Sequence, residues 1–140
     1  TRRLAHLLGR LAEWQEIHQR FACNPHRHRL LQGFHEATYA LKRAGCKAVF
    51  LDGSYVTGKD GPEDFDACWD TTDVDPDLLD PVFFDFSNRR AAQKARFRGE
   101  LFPAQWKGGG GRTFLEFFQI DKYTGAPKGI VGLDLRRWSV

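Results

Sequence analysis

Apolar residues recur every three or four positions over residues 2–20, where Leu4, Leu7, Leu8, Leu11, Trp14 and Ile17 fall on one helical face. This spacing predicts an amphipathic helix within an N-terminal segment of residues 1–23. Asn24-Pro25 then reads as a second helix start, with Asn as the cap and Pro at the first helical position. Leu30, Leu31, Phe34, Thr38 and Leu41 carry that helix forward, and Gly45 ends it. Beyond Gly45 the period changes. Lys47 to Asp52 (KAVFLD) predicts a short strand running into Gly53-Ser54, and Tyr55 to Glu63, with Gly58, Gly61 and Pro62, an irregular turn. Asp64 to Trp69 (DFDACW) alternates acidic and apolar or small residues and predicts a second strand.

The second half is more broken. Asp73 to Asp80 predicts an acidic loop, or a short helix opened by Asp75-Pro76. Asn88 to Arg98 predicts a basic helix closed by Gly99. Glu100 to Pro103 predicts a third strand that Pro103 ends or places near a sheet edge. Gly108 to Gly111 reads as a flexible surface connection, and Thr113 to Ile120 as an apolar helix or strand. Tyr123 to Pro127 predicts a turn and Gly129 to Leu135 the last strand. Helices mixed with short strands predict an α+β, α/β-like fold, and 140 residues without a long linker predict one domain over residues 1–140.

Composition narrows the class. An apolar share of 41% with 14% aromatics describes a globular chain rather than a disordered one. No apolar run reaches the length of about 18 residues that would span a membrane, and residues 1–6 lack the apolar block of a secretory signal. Cys23, Cys46 and Cys68 form no Cys-x-x-Cys pair, which argues against a disulfide scaffold and a structural zinc site. The expected compartment is the cytoplasm. With no Met and Thr1 first, the natural start is expected to have been trimmed.

Net charge is only +3, but the charge is segregated. Residues 1–51 carry nine Lys/Arg against three acids, and residues 86–140 eleven against four. Between them, residues 52–85 carry eleven acids against the single Lys59. Such a block is either a solvated acidic loop or a metal site whose cationic surround steers a polyphosphate or nucleic acid.

The stretch LDGSYVTGKDGPEDFDACW (residues 51–69) decides between these readings in favour of the site. Asp64 and Asp66 are two apart on a strand, so they point to one face about 6.6 Å apart and can hold the same divalent metal or one each of a pair. Mg²⁺ takes hard oxygen ligands, typically one or two carboxylates plus substrate phosphates. Gly53 lets a phosphate approach the backbone, while N–H groups and the Ser54 hydroxyl can bond its oxygens. A triphosphate anchored beside paired carboxylates is the layout for two-metal in-line displacement. Asp52 reads either as a further anion at the turn or as a cap, and Lys59 either as a partner for a donor phosphate or as a neutraliser of its acidic neighbours.

Gly53-Ser54, nine intervening residues and Asp64-Phe-Asp66 resemble the pattern of the DNA polymerase beta-like nucleotidyltransferase superfamily in its minimal, single-domain form. With ELFPAQ and FFQIDKYTGAPKGIVGLDL, the wider text looks like an uncharacterised bacterial branch of the toxin–antitoxin-associated type. The resemblance implies a small mixed sheet, Mg²⁺ (or Mn²⁺), an NTP donor and transfer of NMP to an acceptor hydroxyl on protein, RNA or a small molecule. It also implies a third carboxylate on a later strand that completes the metal site and serves as general base. Glu100 is the choice, with Glu116 and Asp134 as rivals and Asp85 a weaker one. Lys128-Gly129 is a further substrate contact on the same ground.

Other features have plainer readings. His26 and His28 sit in a first helical turn where i and i+2 diverge, so they are expected at the surface. Arg89, Arg90, Lys94, Arg96 and Arg98 form either a phosphate-binding or a merely solvated helix face. Cys46 and Cys68 are expected as buried thiols, and the Phe-rich stretches 82–86 and 114–118 as core. A second function class is a non-catalytic module, an antitoxin or assembly partner, docking through Trp14 and Phe21 of the first helix. RNA binding through the basic arms is a third. Expected partners are therefore an NTP and a cognate toxin or antitoxin, RNA or a second copy in a homodimer, with no membrane.

Overall fold

Pro25 opens helix α1 (Pro25–Arg43) of a computed structural model that describes residues 25–52, 64–108, 110–119 and 130–137. The expected first helix, the turn at Tyr123 to Pro127 and Lys128-Gly129 lie outside the described residues. The face of α1 that carries Leu30, Leu31, Phe34, Ala37, Thr38 and Leu41 is buried, as its three-and-four spacing requires. Gly45 adopts φ +100°, and the Cys46 N–H reaches back to the Leu41 carbonyl at 3.0 Å while the Gly45 N–H bonds Lys42. That pair of bonds closes a helix end that only a residue tolerant of the left-handed region completes without strain.

Among the described residues four strands follow: β1 (Ala48–Asp52), β2 (Phe65–Trp69), β3 (Gly99–Pro103) and β4 (Val131–Asp134). They form one sheet in the order β3-β2-β1-β4. β1 is antiparallel to β2 and to β4, while β2 and β3 run parallel, so the sheet is mixed and the fold is α+β. The parallel pair needs a crossover. It is supplied by a 3₁₀ turn (Pro81–Phe84) and helix α2 (Ser87–Phe97). No helix occurs in the acidic segment 71–80, which turns instead through Asx-type contacts such as Asp75 Oδ1 accepting from the Asp77 N–H.

The sheet is buried on both faces by different partners. Val49, Leu51, Phe65, Ala67, Trp69, Leu101 and Leu133 pack with α1 and with Phe83 and Phe97 from the crossover. On the other face Ala48, Phe50 and Cys68 meet Ala104, Phe118 and Ile130, with Phe102 and Phe114 packed against them. Phe118 belongs to the short helix α3 (Phe114–Phe118), which Thr113 and Glu116 open with reciprocal capping bonds. Lys107 and Thr113 bridge on either side of the glycine run, in which Gly110 and Gly111 take φ +65° and +77°.

Several expectations are corrected. Gly99 does not cap α2: Arg98 takes the left-handed position (φ 64°), and Gly99 begins β3. A Cβ there would lie 2.3 Å from the Phe65 ring, so the glycine serves strand packing. The last strand is shorter than expected and passes into a 3₁₀ turn (Leu135–Arg137). The Phe stretches divide, because elements this short bury only one side: Phe83 and Phe118 are buried, Phe84 and Phe117 exposed. His26 and His28 are half-buried, and Arg27 between them is fully buried. Cys46 and Cys68 are buried thiols as expected. No helix among the described residues is long and apolar enough to cross a membrane.

Candidate metal centre

Register alone draws acidic positions together. Asp52 at the end of β1 pairs with Asp66 on β2, and Asp66 pairs in turn with Glu100 on β3. Residues paired across a sheet lie on one face, so Asp66 and Glu100 fall in a single row. Asp64, two residues before Asp66, shares that face by the period of a strand. Ligand oxygens of Asp64, Asp66 and Glu100 all lie within 4.8 Å of one another, and all three residues are half-buried.

Three carboxylates at this separation repel unless something offsets their charge. Part of the offset is visible. Arg90 Nε donates to Glu100 Oε1 at 2.8 Å, and Lys94 Nζ lies 3.3 Å from the same oxygen, one turn further along α2. Asp66 stands directly opposite Glu100 in the register of the two strands. Burial pushes Glu100 up, but the bonds from Asp66 and Arg90 and the charges of Arg90 and Lys94 outweigh it and hold the group below its ordinary value. The donor set consists of hard carboxylate oxygens on the ends of paired strands, and its chemistry suits Mg²⁺ or Mn²⁺ rather than a thiophilic metal.

The rival third carboxylates stand elsewhere. Glu116 is exposed in the first turn of α3 and accepts from Thr113 at 3.0 Å. Asp134 pairs with Ala48 at the far end of β1 from Asp52, and Arg136 holds it by three bonds, from its backbone N–H and Nε at 3.0 Å and from Nη2 at 3.1 Å. Asp85 accepts from the Ser87 N–H and hydroxyl. Gly53, Ser54 and Lys59 lie outside the described residues. The chain enters that segment directly from Asp52, the residue paired with Asp66.

A model of a family of unknown function, DUF6932, matches residues 10–134. The chain belongs to that family. The match spans all four strands and the whole acidic row, so the fold and the cluster described here both lie within the DUF6932 region. No curated protein and no solved structure gives a significant match.

Within this DUF6932 chain, sequence reasoning singled out Arg90 and Lys94 only as members of a basic stretch and missed their hold on Glu100. Their four-residue spacing was the available signal, since it puts both on one side of a helix. The tertiary signal is stranger. Asn88, Arg89 and Arg90 all take left-handed φ values (51°, 56° and 60°) at the opening of α2, a conformation that costs L-residues about 1–2 kcal/mol each.

Proposed function

We propose that the chain is a Mg²⁺-dependent nucleotidyltransferase that moves NMP from an NTP to an acceptor hydroxyl. The observation that carries the reading is the convergence of Asp64, Asp66 and Glu100 on the ends of two adjacent strands. Asp64, Asp66 and Glu100 would hold the metal, which when bound supplies the positive charge that a triphosphate and its leaving pyrophosphate require. Gly53 and Ser54, next in the chain after the residue paired with Asp66, would take the phosphate oxygens.

The acceptor oxygen forms a bond to the α-phosphorus, the α–β bridge bond breaks, and pyrophosphate leaves with the electron pair. A carboxylate of the cluster accepts the acceptor's proton, and Glu100 is the choice for that base. Arg90 and Lys94 keep Glu100 ionised, the state a ligand or base must have. The acceptor class is a protein (a cognate toxin, on the family resemblance), an RNA end or a small molecule.

One observation favours the second reading, a non-catalytic module acting by protein contact. Glu100 is already bound by Arg90 and Lys94, so part of the cluster's charge is satisfied by the chain itself. Thermal denaturation with and without Mg²⁺, against each of the four NTPs, separates the readings. Ligand at about 100 times its Kd adds about 2.7 kcal/mol to the folded state. A Mg²⁺-dependent shift with an NTP, lost in Asp66→Asn, is the expected result. No shift with any NTP would sink the enzyme reading and leave the module.

A further inference from the structure

From the sheet face that carries the acidic row, a chain of aromatic rings runs past the edge strand β3 to Phe84, which also packs on Trp69 at 5.6 Å. Phe102 follows Glu100 by two residues on β3 and so shares its face. Its ring stacks on Phe114 at 4.6 Å and lies parallel to Phe86 at 6.2 Å. Phe86 meets Trp106 at 6.3 Å, and Trp106 meets Phe84 at 5.6 Å. The inner rings are half-buried, but Trp106 is 48% and Phe84 37% exposed, so the chain of rings emerges at the surface. Two adjoining exposed rings present flat apolar faces to a ligand.

Cations stand at both ends. The Arg90 guanidinium lies over the Phe102 ring at 5.4 Å while it holds Glu100, joining the aromatic surface to the acidic row. At the other end Lys107 follows Trp106 directly, and Arg112 precedes the Thr113 bridged to Lys107, both cations being exposed. Over residues 86–119 the chain carries seven Lys/Arg against two acids, Glu100 and Glu116. An exposed row of rings flanked by positive charge fits a ligand with flat apolar faces joined by anions, and an aliphatic or acidic protein surface would leave the ring faces unmatched.

We propose that this surface binds single-stranded nucleic acid, with bases against Trp106 and Phe84 and phosphates against Lys107 and Arg112. Strand binding stands on its own observations. The further step, that the bound strand is the acceptor and its end reaches the acidic row, rests on the nucleotidyl-transfer reading.

Fluorescence anisotropy of labelled single-stranded RNA and DNA of about ten nucleotides, in EDTA and with the matching duplex as comparison, tests strand binding apart from metal chemistry. The expected result is a single-strand Kd in or below the range of tens of micromolar, with the duplex weaker. Trp106→Ala should weaken single-strand binding about tenfold with an unchanged salt slope. The double change Lys107→Glu and Arg112→Glu should weaken binding and flatten the salt slope. Circular dichroism of each variant confirms the fold. Equal binding of duplex and single strand, indifference to Trp106→Ala, or capture of a protein through Trp106 without oligonucleotide binding would each overturn the proposal. Loss of the Mg²⁺–NTP shift alone would remove the acceptor role and leave strand binding in place.

Discussion

Glu100 sits where burial and charge pull in opposite directions, and Arg90, Lys94 and Asp66 settle the balance toward the ionised form. Replacing it by Gln keeps the volume and removes the charge. Under the proposed metal reading, Glu100→Gln should weaken Mg²⁺ binding at least tenfold, measured by titration calorimetry, since one of three carboxylates is gone. Asp70 shows the same contest at a structural position. Burial raises it, but the Thr72 N–H, the Gln105 and Thr72 side chains and the Lys47 charge together hold it below its usual value. A depressed folded-state value adds stability above the unfolded value of about 3.9, and that stability is lost as pH falls through the folded value. Urea unfolding at neutral pH and near pH 3 should show Asp70→Asn losing less stability on acidification than wild type. Gly33 is constrained by space alone, since a Cβ would lie 1.8 Å from the Phe97 carbonyl oxygen where α1 crosses the end of α2. Gly33→Ala should cost about 1–3 kcal/mol or more in chemical denaturation, because backbone rather than a pliable side chain must move.

At the level of elements, α2 has two tasks: it closes the crossover and it finishes the edge of the sheet. Gln93 is buried, accepts from the Leu101 N–H at 2.8 Å and donates to the Val82 carbonyl at 3.1 Å. It thus satisfies an edge-strand donor that would otherwise be open to pairing with another chain. Gln93→Ala should cost about 1–3 kcal/mol by thermal or urea unfolding. The end of α2 offers the opposite change, because Arg98 holds φ 64° without being glycine. Arg98→Gly should stabilise the protein by about 1 kcal/mol, read as a higher urea midpoint with an unchanged slope. Helix α1 was legible in the sequence because its apolar stripe is long and its ends carry Pro25 and Gly45. The opening of α2 was not, because no glycine marks the left-handed run at Asn88 to Arg90, and its partner Glu100 is ten residues away. Helix α3 was ambiguous from its apolar run alone, although Thr113 and Glu116 already stood at capping-box spacing.

For the whole molecule, a mixed sheet buried on both faces makes one side structural and leaves the other to combine acids, rings and cations. The strand pattern of residues 47–52 and 64–69, the pairing of Asp64 with Asp66 on one face and the apolar faces of α1 were all written locally, in periods of two and 3.6. Those features, with the segregated charge, are what the chain determined by itself. Which later carboxylate stands beside Asp66 was not local, since Glu100, Glu116, Asp134 and Asp85 look alike in sequence. The parallel register of β2 with β3 decided it, putting Glu100 opposite Asp66 and leaving Asp134 at the other end of β1. The aromatic row was decided in the same way, because Phe84, Phe86, Phe102, Trp106 and Phe114 meet only when the crossover folds back on the sheet. Periodicity tells a residue which face of its own element it occupies. Only tertiary pairing decides which element lies next to it, and charge and ring contacts depend on that neighbour.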